Sequence, residues 1–372
     1  MKTVGIIFSN IHDKEIKELT STRTLASVPF GGRYRLVDFA LSNMTNSDIT
    51  KVGIITKSNF QSLMDHVGSG KSWDLSRKNG GVMLLPPFGN RESKIYNSRF
   101  EALSNAVGFL KSCSEEYVVM TDCDNVCSID YQKVIDYHIE KHADITVVYR
   151  KKHLTADSEE KVRTQFTLNE DGRVIKTVIS KKHEEEVNKF SNIFVINRLF
   201  LLSILENAED LEYKSFSRDV MIKGVDMYRI YGYEFKGYYA SLDSLANYYK
   251  HNMELLVKEN RDALFRGEGG AIFTNVRDSA PCRFEDGGSA KNSLIADGCI
   301  IEGTVENSIL FRGIHVQKGA VVRNSILMQN VEVGEGTQLN CVIADKNVRV
   351  LNGRVLSGHS THPYFITKDS IV

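Results

Sequence analysis

The sequence predicts two parts, a doubly wound α/β domain over residues 1–255 and a three-sided parallel β-helix over 291–372, joined by a linker at 256–290. Three observations predict them. Short, continuously apolar runs alternate with amphipathic stretches through the first part, a five-residue motif recurs through the last, and glycines cluster in the segment between.

The strands of the first part are Val4–Phe8, Val52–Ile55, Tyr117–Met120, Ile145–Tyr149 and Ile193–Ile196. They are apolar nearly throughout, as strands are when both faces of a mostly parallel sheet are covered. Phe100–Leu110 and Tyr131–His138 lie between strands with apolar residues at helical spacing, so helices supply that cover. The bridge contains Gly267, Gly269, Gly270, Gly287 and Gly288, with Ile272 and Phe273 between them; it reads as a semi-ordered linker packed on one domain. In the last part, Asn-Ser-Leu-Ile-Ala at Asn292 returns in variant form at Asn307, Asn324 and Asn340. The spacings of 15, 17 and 16 residues approximate one turn of a three-sided helix, and apolar residues recur six apart, as at Ile314, Ala320 and Ile326. Gly298, Gly313, Gly319, Gly334 and Gly336 suit the tight corners. One turn cannot bury its apolar side alone, so the turns must stack.

Forty-seven basic residues offset 47 acidic ones, so no net field draws in nucleic acid or an anionic membrane. No apolar run approaches the ~20 residues of a bilayer span. The opening residues read as a strand rather than a signal peptide, and the six cysteines lack paired C-x-x-C knuckles. The expectation is a cytoplasmic protein with reduced thiols and no bound metal. His12, His66 and His138 have no metal-ligand spacing and read as structural or surface residues, the run Lys181–Glu186 as a solvated loop, and Trp73 as a packing residue.

Residues 28–39 read Val-Pro-Phe-Gly-Gly-Arg-Tyr-Arg-Leu-Val-Asp-Phe, followed by Leu41-Ser42-Asn43 and Asn46-Ser47. Further on stand Ser62-Leu63 with His66-Val67, Leu84-Leu85-Pro86-Pro87, Asp130-Tyr131, Arg218-Asp219 and Leu242-Asp243 near Tyr248. These segments resemble bacterial ADP-glucose pyrophosphorylase, the glucose-1-phosphate adenylyltransferase that makes the glucosyl donor for glycogen. The likeness runs nearly end to end. It implies a Rossmann-like nucleotidyltransferase domain followed by a left-handed parallel β-helix.

The departures from that family concern its chemistry. Its first strand leads into a Gly-Gly-x-Gly-Thr-Arg-Leu-type loop, where glycine lets backbone N–H groups approach the nucleotide phosphates. Here residues 9–17 contain no glycine, and Asp13 and Glu15 would repel a triphosphate. Leu25 stands where the resemblance implies a lysine that neutralises the phosphates. Of the two aspartates implied to hold catalytic Mg²⁺, Asp124 matches the first, and counting back from Asp243 places Tyr238 at the second. Gly-Thr-Ala-Asp-Ala becomes Ser98-Arg99-Phe100-Glu101-Ala102, and the Glu-Lys pair for glucose 1-phosphate becomes Ser180-Lys181.

The resemblance therefore implies a regulatory subunit that is catalytically incompetent, with vestigial Asp124 and losses at Leu25 and Tyr238. The expected partner is a catalytic glucose-1-phosphate adenylyltransferase subunit in a heterotetramer, or a second copy when alone; Mg²⁺ would belong to the catalytic partner. The family's effector pocket implies that Arg23, Arg35 and Lys368 bind a sugar-phosphate effector, guanidinium forks being suited to phosphate. Two alternatives stand beside this reading: an active adenylyltransferase with an atypical phosphate loop using Lys14 or Lys17, and a stand-alone sugar-phosphate sensor.

Overall fold

The computed structural model of the chain describes residues 2–87, 96, 98–153, 163–180, 186–208, 213 and 215–372. Lys181, Lys182 and the charge run up to residue 185 lie outside the described residues.

Thr3–Phe8 is the central strand of the first domain. It pairs in parallel with Lys51–Ile55 on one side and Tyr117–Asp122 on the other, and Gly81–Leu85 extends the parallel set. Beyond Tyr117–Asp122 the sheet turns mixed: Glu186–Asn197 runs antiparallel to it and also pairs with Ile145–His153 and Arg163–Leu168. Parallel pairing thus runs from Gly81–Leu85 to Tyr117–Asp122 and returns where Ile230–Glu234 pairs with Ile145–His153. Successive residues of the central strand serve opposite faces. Ile6 and Phe8 pack with Phe100, Leu103 and Phe194, whereas Ile7 packs with Val37, Leu41 and Ile135. Helix Tyr131–Glu140 forms as expected, its N-terminus capped by Asp130. The single helix expected over Phe100–Leu110 is instead two, Arg99–Asn105 and Val107–Lys111, parted at Ala106 with φ −92° and ψ 1°.

The last part is three five-stranded parallel sheets wound into a β-helix, as the repeat predicts. Its step differs from the sequence reading at one corner. Ser308 N–H bonds the Ser293 hydroxyl 15 residues back, Ser325 N–H bonds Ser308 17 back, and Val342 N–H bonds Ser325 17 back. Cys341 rather than Asn340 therefore occupies the corner of Asn292, Asn307 and Asn324. All four have left-handed backbone, with φ of 44°, 46°, 48° and 52° in chain order. Asparagine tolerates that conformation better than most residues, which explains the motif's first letter.

The segment read as a linker is ordered on both sides. Helix Lys258–Phe265 buries Leu264, and Ile272 is buried further on. The first β-helix strands, Arg283–Phe284 and Ser289–Lys291, already lie within it. One apolar core joins the two domains: Leu25, Val28, Phe30, Phe39 and Tyr248 meet Ile309, Phe311, Ile326 and Met328 of the β-helix. The turn at Gly31 and Gly32, with φ 62° and 86°, is what lets the Pro29–Phe30 strand fold back on Tyr34–Arg35 against that core.

Candidate functional site

Two places in the fold gather chemistry. The first is the carboxyl edge of the sheet at the central strand, where neighbouring strands diverge and α/β folds place their ligands. Phe8 pairs with Asp122 there, and the next residues of each chain segment form the site. His12 Nε2 lies 2.9 Å from Asp122 Oδ2 and 3.9 Å from Asp124 Oδ2, while its Nδ1 lies 2.9 Å from Glu15. The Arg99 guanidinium donates to the same Asp122 oxygen and spreads over the rings of Phe8 and Phe194, 5.4 Å from each centroid.

Both aspartates are buried, and the charges set each other's protonation. Burial works against a charged His12, but the carboxylates of Asp124, Asp122 and Glu15 outweigh it and hold its pKa well above the ordinary value. Burial alone would raise Asp122; Arg99 and His12 overcome that and hold it below the usual carboxylate range. Asp124 has no such direct partner, and burial pushes it up to about 6 despite His12. An imidazolium and a guanidinium thus stand as counter-ions to the aspartate pair.

His12, Asp122 and Asp124 bring their ligand atoms within 4.8 Å of one another, the one such metal-capable cluster among the described residues. The set does not fit a catalytic Mg²⁺. That hard cation takes oxygen ligands, whereas here one donor is an imidazole and Asp122 is already bonded by Arg99. No second carboxylate arrives from the neighbouring strand. Tyr239–Ser241 pairs antiparallel with Asn125–Cys127, which sets Ser241 opposite Asn125, and Leu242 N–H donates to the Asp124 carbonyl at 2.9 Å. Tyr238 is not at this position. It packs against the interdomain core with its hydroxyl donating to Glu254 at 3.1 Å. The residue whose backbone meets Asp124 is Leu242, with Ser241 opposite Asn125, because the strand register, rather than a count from Asp243, fixes it.

Leu25 sits in the interdomain core, and its N–H donates to Asp13 Oδ1 at 2.8 Å. Burial pushes that carboxyl up to about 7. The glycine-free loop therefore folds inward on Ile16, Leu19 and Leu25.

The second place is a cavity of about 370 Å³ between the domains. Arg33 and Arg35 line it from the first domain, Arg277 from the connecting segment, and Arg312, Lys346 and Lys368 from the β-helix, with no acidic residue among its lining. Arg35 is held by the Ser62 hydroxyl at 2.9 Å, and burial lowers its pKa to about 10. Burial, together with Arg35 and Arg23, draws Lys346 down to about 7. One amino group of Arg312 is buried without a partner. Arg35 and Lys368 are among the residues that line this cavity. Arg23 is not: it is buried and forks onto Asp345 at 2.9 and 2.8 Å, so both of its arms are taken. Its expected contact with a phosphate is replaced by an ion pair that ties the domains together. Arg277, Arg312 and Lys346 escape sequence reading because they come from three distant segments; the two paired acids' counter-ions, His12 and Arg99, escape it for the same reason.

The comparisons with known proteins come to the same place. Residues 13–197 match a nucleotidyl transferase family and residues 280–363 a GlmU-like C-terminal hexapeptide family. The chain is 33% identical over 317 residues to the glycogen biosynthesis protein GlgD of Bacillus subtilis, covering 85% of this chain and 81% of that one. It is 32% identical over 322 residues to the glucose-1-phosphate adenylyltransferase of Thermosipho africanus, covering 86% and 77%. The corresponding enzyme of Geobacillus stearothermophilus is 31% identical over 326 residues, covering 86% and 83%. With this fold, this end-to-end coverage and these identities, the chain belongs to the family of glucose-1-phosphate adenylyltransferases and GlgD.

Proposed function

We propose that this chain serves glycogen biosynthesis as a catalytically deficient, regulatory subunit of the cytoplasmic glucose-1-phosphate adenylyltransferase. The observation that carries the proposal is the aspartate pair closed on Arg99 and His12. In nucleotidyl transfer a metal ion neutralises the phosphates and the leaving group. Here protein cations hold Asp122, the neighbouring segment meets Asp124 at Leu242 rather than at a carboxylate, and the loop that should cradle phosphate is folded into the core.

The regulatory half of the proposal rests on the interdomain cavity. Six cations with no acid in the cavity lining, though Arg312 and Lys368 pair with Asp297 and Asp369 outside it, come from both domains and the segment between them and suit a phosphorylated effector. A ligand seated there bridges the two domains and favours whichever arrangement brings the cations together. In a heterotetramer, a subunit that fits the active state of its catalytic partner better shifts the partner toward it.

The test is ADP-glucose formation by this chain alone, by a catalytic subunit alone, and by the co-expressed pair. The expected result is no turnover alone and an altered rate or effector response in the pair. Mg²⁺-dependent turnover by this chain alone overturns the catalytic half. An unchanged response in a verified complex overturns the regulatory half and leaves the reading of a stand-alone sensor.

A further inference from the structure

Along one edge of the β-helix the coils stack in register, Leu310 on Leu327, Leu327 on Ala344, and Ala344 on Ile366. Two residues further along each coil stand Arg312, Gln329, Lys346 and Lys368. Backbone bonds hold these four in step. Asn330 N–H donates to the Arg312 carbonyl at 3.0 Å, Asn347 N–H to that of Gln329 at 2.9 Å, and Asp369 N–H to that of Lys346 at 3.0 Å. Neighbours on successive coils lie about 4.8 Å apart. All four line the interdomain cavity, with Lys346 placed between Gln329 and Lys368.

Lys346 is half-buried, and among the described residues no carboxylate is ion-paired with its ammonium group. The acid next to it, Asp345, gives both of its oxygens to Arg23. The other charged groups that face Lys346 are cations, Arg23 and Arg35 from the first domain and Lys368 from the next coil. Burial first, then Arg35 and Arg23, draw its pKa down to about 7, so much of the amine is neutral near neutral pH. A neutral lysine amine is a nucleophile. Two polar atoms on the same ladder lack partners: Gln329 Oε1 is a buried acceptor without a donor, and Arg312 Nη2 a buried donor without an acceptor. Such groups are costly, and native structures keep few of them.

We propose that Lys346 is a carbamate-forming site for carbon dioxide. The Nζ lone pair attacks the carbon of CO₂ and an N–C bond forms. One C=O electron pair moves onto oxygen, and the nitrogen gives up one proton to water. No atom is oxidised or reduced, and the step calls for no metal. The product, R–NH–COO⁻, supplies what its surroundings lack. Its N–H is a donor for Gln329 Oε1, and a carboxylate oxygen is an acceptor for Arg312 Nη2, while Arg35 and Lys368 face the new negative charge with positive ones. An inorganic anion satisfies the guanidinium but brings no hydrogen to Gln329. The carbamate shares the cavity of the regulatory reading and opposes anion binding there, yet it forms on the chain alone, without an effector.

The experiment exposes the full chain to ¹³C-labelled CO₂ and bicarbonate just above neutral pH, traps carbamates by alkylation with an oxonium salt, and maps the labelled peptides by mass spectrometry. The expected result is label on Lys346 and none on the exposed Lys318. At sub-saturating CO₂, Arg312→Met is expected to lower the yield on Lys346 about tenfold, as the loss of one charge-assisted bond implies. Circular dichroism checks that this variant folds, and the label on the native chain needs no variant. No label on Lys346, equal label on Lys318, or an unchanged yield in folded Arg312→Met overturns the proposal. Sulfate titration in CO₂-free buffer reads the anion site separately, so a chain that takes the label but binds no sulfate refutes the effector reading alone.

Discussion

Replacing Arg99 by methionine isolates the charge that closes the aspartate site. The methionine keeps an apolar stem against Phe8 and Phe194, so what is lost is the guanidinium on Asp122, which is 1% exposed. Breaking one partner of a buried ion pair costs about 3–5 kcal/mol. His12 still faces the carboxylate at 2.9 Å, which puts the expected loss at the lower end, about 3 kcal/mol. At roughly 2–4 °C per kcal/mol for a domain of this size, the melting temperature falls by about 6–12 °C. The pH dependence identifies the cause. In the native protein Asp122 titrates below the usual carboxylate range, so its contribution is present above the unfolded pKa and is lost as pH falls through the folded one. In the variant burial raises the same pKa, so the protein is penalised increasingly as pH rises past about 4. The gap between native and variant is therefore widest near neutral pH and narrows toward about pH 4. Urea unfolding at two pH values reads it directly. A loss under about 1 kcal/mol near neutrality, or one equal at both pH values, refutes the assignment of Arg99 as the counter-ion.

Three further expectations follow from other parts of the molecule. Sulfate, which stays doubly charged across the range, should bind the interdomain cavity more weakly as pH rises through about 7, where Lys346 gives up its proton; Lys346→Met should flatten that profile in a calorimetric titration. Arg23→Met should destabilise the fold by about 3–5 kcal/mol, since Asp345 is left buried and unpaired, yet leave sulfate affinity within about twofold under conditions where the variant is folded; a large loss of affinity would return Arg23 to the binding site. Cys341→Asn should raise the melting temperature by an amount equivalent to about 0.5–1 kcal/mol, because a left-handed corner favours asparagine over cysteine; an unchanged or lower value would show that its packing beside Tyr249 outweighs the backbone.

The amino-acid sequence by itself determined the two-part architecture. Continuous apolar strands and a recurring corner motif are local signals, and each states its own burial requirement without help from the rest of the chain. The loss of the phosphate loop was equally legible, because the absence of glycine between Ser9 and Lys17 forbids a close backbone approach wherever that loop lies. Tertiary structure decided everything that depends on meeting at a distance. The sequence count put Tyr238 beside Asp124, but strand pairing put Leu242 there, since register is set by hydrogen bonds between segments more than a hundred residues apart. Arg23 and Arg35 look alike in the sequence, and only packing separates them. One fell within reach of Asp345 and became a strut between domains, while the other kept its face toward an open basic cavity. Arg99 and His12 carried no motif at all; they matter because the fold delivers both to one buried carboxylate, where an unpaired charge is too costly to leave.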